Sequence, residues 1–250
     1  MDIQQTIEWF HLLFLLFIGR KIDRKHYVLK GGCNLRFFFR SPRYSEDIDF
    51  DLFGIPVQVF REQVNKILKS SVFNDNLLLK GMTLGHTAEH KQTETTQRWK
   101  LSLYSRQMQM SVPTKIEFSR RDRDKEESKF EAVDAGFIKR YELPPVLVSH
   151  YTAEAAFRQK MNAMSSRRIP QARDLFDLYF LLVTAGEKVA LLSRKEKASL
   201  SRAKDNIFSI DYKIFKSQVL SYLDPDDRAL YESEETWDMM RLKIIEVLEK

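Results

Sequence analysis

The spacing of hydrophobic residues changes along the chain and predicts the elements of the fold. The apolar run at residues 7–18 is too short for a bilayer span, which takes roughly 20 residues, and we expect a buried first helix there. YVLK at 27–30 predicts a short buried strand. In SEDIDFDLF, Ile48, Phe50 and Leu52 alternate with three aspartates, which is typical of a half-buried strand with its carboxylates on the open face.

The segment that follows continues this alternation of elements. VQVFREQVNKILKS has helical spacing, with apolar positions at Val59, Val64, Ile67 and Leu68. The polar segment HTAEHKQTETT, residues 86–96, predicts a loop, whereas RWKLSLYS and TKIEFSR are strand-like. A strand, a helix and then a meander of strands predict one mixed sheet.

A domain boundary is predicted after this sheet. The run SRRDRDKEESK, residues 119–129, is densely charged, and the adjacent Pro144 and Pro145 interrupt any regular element. We therefore expect a first domain at 1–142 and a second at 143–250.

The second half has a mostly helical pattern. TAEAAFRQKMNAMSS follows a candidate cap at Thr152, ARDLFDLYFLLVTAG ends at Gly186, and three further amphipathic stretches reach the C-terminus. The predicted fold class is α+β, with a mixed sheet followed by a helical domain.

Composition and charge restrict the function only weakly. The 250 residues are 43% apolar and carry a formal net charge of +6, which permits a polyanionic partner without requiring one. The charge is uneven, because residues 155–173 contain basic side chains and no acidic one: Arg158, Lys160, Arg167, Arg168 and Arg173. We expect a local basic surface.

Two features bear on location. Cys33 is the only cysteine, so no intramolecular disulfide forms and a reducing compartment, the cytoplasm, is expected. The first apolar run follows Asp2, contains Glu8 and lacks a small-residue cleavage site, so we interpret it neither as a signal peptide nor as a membrane segment.

The alternating aspartates are candidate metal ligands. Asp47 and Asp49, two positions apart on one strand, project from the same face about 6.5 to 7 Å apart, and carboxylates are ligands that Mg²⁺ prefers. Glu117 in TKIEFSR is the best third ligand. Asp51 is either that ligand instead or the solvated end of its strand.

The paired glycines suit the other half of such a site. Without Cβ atoms, Gly31 and Gly32 allow backbone N–H groups to approach an anion, and a helix beginning at Cys33 or Asn34 would direct its positive end at phosphates. Taken singly, the aspartates could be a solvated face and the glycines an ordinary turn. Together, a triphosphate cradle beside a metal clamp indicates nucleotidyl transfer.

These motifs resemble a known family. LKGGCNLRF…RYSEDIDF resembles the signature of the polymerase-β-like nucleotidyltransferase superfamily, a Gly-Gly or Gly-Ser turn followed by Asp-x-Asp. RQKMNAM…RRIPQARDLFDLYFLL is similar to the C-terminal motif of the AbiEii/AbiGii toxins of bacterial toxin–antitoxin and abortive-infection systems. The motifs cover roughly residues 28–53 and 154–182. The resemblance implies a polymerase-β-like core at 1–142 and a helical domain that completes the NTP and acceptor site.

The resemblance also implies roles for individual residues. Asp47 and Asp49 would hold the metal ions, and Glu117, at the position of the superfamily's third carboxylate, would bind the ion that helps to deprotonate the acceptor. Lys160 and Arg173 would neutralise the triphosphate. The other implied catalytic or nucleotide-binding residues are Gly31, Gly32, Cys33, Asn34, Ser45, Asp174 and Asp177.

Cys33 departs from the family pattern, which has Ser or Thr there. A thiol is a weaker donor, and at a helix N-terminus we expect its pKa to fall, so that a thiolate would repel the triphosphate. Asn34 or Ser45 is then the candidate donor. Ordinary interpretations of the C-terminal motif stay open too: Arg173 and Asp177 could pair on a helix surface, and Lys160 could border an apolar stripe.

The predicted function is a nucleotidyltransferase toxin that uses Mg²⁺, or Mn²⁺, to move a nucleoside monophosphate from an NTP to an acceptor hydroxyl, releasing pyrophosphate. The expected acceptor is an RNA, the 3′ end of a tRNA, bound through Arg167 and Arg168. A cognate antitoxin encoded nearby is the expected protein partner. The alternatives are a metal-dependent nuclease and a catalytically impaired interaction protein of the same fold.

Overall fold

The chain forms two units in a computed structural model that describes residues 1–120, 127–190, 192, 197 and 200–249. The first unit comprises Met1–Phe38 and Tyr44–Tyr151, and the second comprises Phe39–Arg43 and Thr152–Lys250. Most of the charged run expected near the domain boundary lies outside the described residues.

Strands of the first unit form the predicted mixed sheet, in the order β3-β4-β5-β2-β1-β7-β6. Strands β1 and β7, and strands β2 and β5, pair in parallel, whereas the other neighbours are antiparallel. Their bounds are β1 Tyr27–Lys30, β2 Asp47–Leu52, β3 Met82–Gln92, β4 Thr96–Ser105, β5 Met110–Arg120, β6 Ser128–Ala132 and β7 Leu147–Tyr151.

Helices accompany this sheet in the first unit. Their bounds are α1 Ile3–Lys21, α2 Gly31–Phe39, α3 Val57–Leu68, α4 Ser71–Leu79 and α5 Ala135–Tyr141, with a short 3-10 turn at Arg24–His26. Asp2 caps α1 by accepting from the backbone N–H of Gln5, whose side chain returns to the N–H of Asp2. This capping box satisfies two of the free N–H groups at the helix start.

Helix α1 is buried, as its apolar run predicts. Phe14 packs edge-on against Phe50 of β2, and Phe50 stacks on Phe118 of β5 at 4.7 Å between ring centroids. The charge of Glu8, which also lies in the core, is offset by Arg36, whose Nε is 2.6 Å from a Glu8 oxygen. A buried carboxylate without such a partner would strongly destabilise the fold.

The second unit is helical, as the pattern of the second half predicts, but its main segment begins at Thr152 because β7 belongs to the sheet of the first unit. Its helices are α6 Ala153–Ser166, α7 Ala172–Ala185, α8 Leu200–Ser209, α9 Tyr212–Gln218, α10 Pro225–Tyr231 and α11 Glu234–Glu249, with 3-10 turns at Glu187–Ala190 and Leu220–Tyr222. Thr152 caps α6 by accepting from Ala155 N–H, and α7 ends at Gly186, which has a positive φ of 82°. Phe215 stacks on Trp237 in the core of this unit.

Local sequence patterns misassigned three parts of the first unit. Residues 86–92 belong to β3 rather than to a loop. Their backbone pairs with β4, and this pairing allows polar side chains to occupy an exposed strand. Helix α4 was not predicted. Val59 is 45% exposed, and Phe60 faces the core with the rest of the α3 stripe instead.

Within the described residues, no helix combines the length and the hydropathy that crossing a membrane requires.

Candidate active site

Strand β2 presents its carboxylates in the predicted alternation. Asp47 and Asp49 are partly exposed, while Ile48 and Phe50 between and after them are fully buried. The parallel register with β5 places Glu117 directly opposite Asp49. The three carboxylates named from the sequence therefore lie on neighbouring positions of one sheet face.

Two cations that sequence reasoning missed are paired with these carboxylates. Lys115, opposite Asp47 in the register, places Nζ 2.9 Å from Asp47 Oδ2 and 3.8 Å from Glu117 Oε2. Arg98 on β4 places Nε 2.6 Å from the same Glu117 oxygen. Burial alone would lower the pKa of Lys115, but Asp47, Asp49 and Glu117 raise it. TKIEFSR already placed Lys115 two positions from Glu117 on one face, which could have signalled this pairing.

The surroundings of Asp49 disfavour its ionised form, mainly through burial. Burial raises the pKa of Asp49, the Lys115 and Lys30 charges oppose the rise, and the Glu117 and Asp47 carboxylates add to it. A cation bound beside Asp49 would favour the ionised carboxylate and offset the effect of burial.

Asp51 is neither the solvated end of its strand nor a free ligand. It is only 3% exposed. Lys30 Nζ lies 2.6 Å from its Oδ1, and the Tyr151 hydroxyl donates to its Oδ2 at 2.9 Å. Both carboxylate oxygens are engaged within the protein, so the solvated-end interpretation is wrong.

The glycine pair begins helix α2 and lies against the carboxylate strand. Gly31 has a φ of +70°, a conformation that side chains disfavour. A Cβ at Gly31 would lie 3.3 Å from Asp49 Oδ2, tighter than ordinary contact. The helix starts at Gly31 rather than at Cys33 or Asn34, so the first N–H groups of the helix belong to the glycines themselves.

The Cys33 side chain points into the core. It is 1% exposed, and its Sγ lies 3.3 Å from the Asp47 carbonyl oxygen and 3.4 Å from His11 Nδ1. Burial and then the Asp49 charge raise the thiol pKa well above its ordinary value. The prediction of a thiolate is therefore wrong, and Cys33 is a neutral thiol.

A chain of hydrogen bonds connects this thiol to the start of β2. The Thr114 hydroxyl donates to the Glu46 carbonyl at 2.7 Å, so its oxygen accepts from His11 Nε2 at 2.9 Å. His11 Nδ1 and the Asp47 carbonyl oxygen are then the two acceptors within reach of the single proton of the Cys33 thiol. Burial lowers the pKa of His11 to about 3, so the ring stays neutral in this chain.

Ser45 and Asn34, the alternative phosphate donors, also make internal contacts. The Ser45 hydroxyl donates to the Asp47 carbonyl at 2.8 Å. Asn34 is fully buried, its amide donates to the Tyr151 carbonyl at 3.0 Å, and its oxygen lies 3.0 Å from His150 Nδ1. We therefore assign both side chains to positioning β2 and α2 instead of to phosphate.

The second unit contains a buried cluster around Asp177. Lys160 Nζ lies 2.9 Å from Asp174 Oδ1 and 2.6 Å from Asp177 Oδ2. Arg43 Nη2 lies 2.9 Å from the same Asp177 oxygen. Burial would raise the pKa of Asp177, but Arg43 and Lys160 outweigh it and lower that pKa. The pKa of Lys160 is raised, because Asp177 and Asp174 outweigh the opposite effect of burial.

This cluster excludes one ordinary interpretation of the C-terminal motif, the surface pair of Arg173 with Asp177. Asp177 has no exposed side-chain area and pairs with Arg43 and Lys160, so it is not the surface partner of Arg173. Sequence reasoning missed Arg43, although a basic residue close before the aspartates was visible in RSPRYSEDIDF.

The remaining basic residues of the motif differ in their surroundings. Arg167 Nε lies 3.3 Å from Asp174 Oδ2, an ion pair without hydrogen-bond geometry. Arg168 is exposed and Arg173 is partly buried, and neither makes an ion pair in the part of the chain that the structure describes.

Solved structures share this fold. JHP933 of Helicobacter pylori is 19% identical with a TM-score of 0.62, and the match covers 100% of this chain and 94% of that chain. MenT4, a nucleotidyltransferase toxin of Mycobacterium tuberculosis, is 18% identical with a TM-score of 0.61, covering 98% and 83%. No match is found among curated protein sequences.

The sequence matches one protein family over most of its length. The family described as nucleotidyl transferase AbiEii toxin of type IV toxin–antitoxin systems matches residues 14–249. The chain is thus a nucleotidyltransferase, as predicted. It belongs to the AbiEii toxin family, whose toxin–antitoxin setting implies an antitoxin partner and an NTP substrate.

Proposed function

We propose that this toxin transfers a nucleoside monophosphate from an NTP to the 3′-terminal hydroxyl of a tRNA, with Mg²⁺ or Mn²⁺ as cofactor and pyrophosphate as product. The observation that carries the proposal is the parallel register of β2 and β5, which sets Glu117 opposite Asp49 and beside Asp47. The Gly31 turn lies against Asp49.

The residues of this face fit a divalent cation by their chemistry. Asp47, Asp49 and Glu117 offer the carboxylate oxygens that Mg²⁺ and Mn²⁺ accept, and they are the residues that would hold it. Within the described residues, no three acidic, histidine or cysteine side chains converge on one point. Lys115 pairs with Asp47, and Arg98 pairs with Glu117. When bound, the cation would stabilise charge on the attacking and leaving oxygens.

The chain's own donors and cations supply the other parts of the reaction. The backbone N–H groups of Gly31 and Gly32 at the α2 N-terminus suit phosphate oxygens. We assign the triphosphate charge to Lys160, which Asp174 and Asp177 hold in place, and to Arg173. These groups would neutralise the leaving pyrophosphate.

An RNA acceptor is supported by the basic residues after α6. Arg168 is exposed and makes no ion pair in the described chain, so its guanidinium is available to a phosphate. Arg167 is less available, because it pairs with Asp174. Such backbone contacts are insensitive to base sequence and weaken with salt, which suits a tRNA whose end is modified.

The test is incorporation of label into RNA. The purified protein is incubated with Mg²⁺, total tRNA and each α-labelled NTP in turn, with Asp49→Asn as the inactive control. We expect labelled, full-length tRNA that depends on Asp49. Shortened RNA without label would favour a nuclease, and RNA binding with neither outcome would favour a non-catalytic protein. Either result would overturn the proposal.

The toxin role has a separate test in the cell. We propose that a neighbouring reading frame encodes the antitoxin and that the toxin acts in the cytoplasm, where Cys33 stays reduced. Expression of the toxin alone should arrest growth, and co-expression of the neighbouring gene should restore it. Growth arrest that persists with Asp49→Asn would show that toxicity does not depend on nucleotidyl transfer.

A further inference from the structure

Lys115 contacts two of the three carboxylates that would hold a divalent cation. Its ammonium nitrogen is 2.9 Å from Asp47 Oδ2 and 3.8 Å from Glu117 Oε2. It reaches both because the parallel register puts it beside Asp47 on β5, two positions before Glu117. A positive charge of the chain itself thus already bridges two of the three proposed metal ligands.

The side chain is held there by its surroundings. Lys115 is about one quarter exposed, and Asp47 and Glu117 are similarly enclosed, at 29% and 18%. Arg98 occupies the same Glu117 oxygen from the other neighbouring strand. Partly buried charge pairs of this kind are screened less by salt than surface pairs, so the contact with Asp47 persists until another cation competes for it.

We propose that Lys115 is a built-in competitor of the divalent cation, which must displace the ammonium from Asp47 before it binds. This inference rests on the proposed function, because it takes Asp47 and Glu117 as metal ligands. Lys115 acts through those carboxylates and is a positioning residue. This competition would weaken binding of the cation in the absence of nucleotide. It would also keep the carboxylates paired until substrate binds.

The chain offers a matched control for the loss of charge. Lys100 on β4 lies opposite Lys115 in the β4–β5 register, is exposed and has no ion pair in the described residues. Lys100→Met and Lys115→Met therefore remove the same charge from the same sheet face. Only Lys115→Met removes the contact with Asp47.

The experiment measures Mn²⁺ binding alone, without nucleotide, from the electron paramagnetic resonance signal of free Mn²⁺. We expect Lys115→Met to bind Mn²⁺ at least about tenfold more tightly than wild type, equivalent to about 1.4 kcal/mol. Lys115→Arg, which keeps the charge, should resemble wild type, and Lys100→Met should stay within about twofold. Circular dichroism checks folding, and Lys115→Gln serves as a second variant.

Two results would count against the inference, and they differ. If Lys115→Met binds Mn²⁺ no more tightly than Lys100→Met, while Asp49→Asn weakens binding, the metal site stands and the competition is refuted. If Asp49→Asn leaves Mn²⁺ binding of the wild type unchanged, the metal site fails and the inference fails with it. If Lys115 had only a structural role, Lys115→Met would lower the stability of the protein without tightening Mn²⁺ binding.

Discussion

Gly31 and Asp49 are so close that a Cβ at Gly31 would lie 3.3 Å from Asp49 Oδ2. The backbone of the glycine turn therefore defines one wall of the carboxylate site. The contact joins the start of α2 to the second aspartate of β2, although the two residues are 18 positions apart in the sequence.

Gly31→Ala should lower both stability and activity. An alanine at φ +70° is strained by about 1–2 kcal/mol, and its methyl group would displace Asp49. Gly81→Ala is the control, because Gly81 has a φ of +71° but open space at its Cβ. We expect similar losses on urea unfolding and a transfer defect only for Gly31→Ala. Equal activity of the two variants would argue against this role of the contact.

Asp49→Asn should abolish transfer without unfolding the protein. Because folding raises the pKa of Asp49, its ionised form is less favourable in the folded than in the unfolded protein, so the amide should leave the melting temperature equal or higher. Transfer should fall at least about a hundredfold, as when a charge-stabilising group is removed. A folded variant with full activity would remove the central assignment.

Cys33 should be inert in the native protein. Because the thiol is buried and its pKa is raised, iodoacetamide should modify it only after denaturation. Cys33→Ser retains a donor to His11 and should stay active, whereas Cys33→Ala leaves His11 Nδ1 unpaired and should lose about 1–3 kcal/mol. Rapid labelling of native protein would show that the side chain is accessible.

Arg43→Met should destabilise the second unit. It leaves the buried Asp177 carboxylate with Lys160 alone, a change expected to cost about 3 kcal/mol. Lys204→Met, which breaks the surface pair with Glu249, should cost at most about 1 kcal/mol. Chemical denaturation measures both.

The Arg43→Met effect should depend on pH. Since the folded pKa of Asp177 is lowered, its stabilisation is fully present above the ordinary carboxyl pKa and is lost as pH falls through the folded value. The gap between wild type and Arg43→Met should therefore narrow from pH 7 towards acid. A gap that is constant with pH would mean that Arg43 acts through packing alone.

His11 should make the protein less stable in mild acid. Its folded pKa is about 3 against an ordinary 6.5, so below pH 6.5 the unfolded state binds a proton that the folded state does not. Stability should fall by about 2 kcal/mol from this residue between pH 6.5 and 5. The unfolding free energy of His11→Gln, measured by denaturation at both pH values, should lack this decrease. A variant with the same pH dependence as the wild type would contradict the prediction.

The sequence by itself determined the features that depend on local spacing. The period-two alternation of SEDIDFDLF placed Asp47 and Asp49 on one face, and Thr152 and Gly186 marked the ends of two helices. These signals are local because side-chain direction in a strand and free N–H groups at a helix end depend on a few consecutive residues.

The tertiary structure alone decided which groups surround those residues. The parallel pairing of β2 with β5 brings Lys115 to Asp47, and strand β7, through Tyr151, covers Asp51. Cys33 shows the same limit, since its position at a helix start predicted a lowered pKa and its burial raises it. Strand order and burial arise from contacts between distant segments, and those contacts set whether a polar group is solvated, paired or neutral.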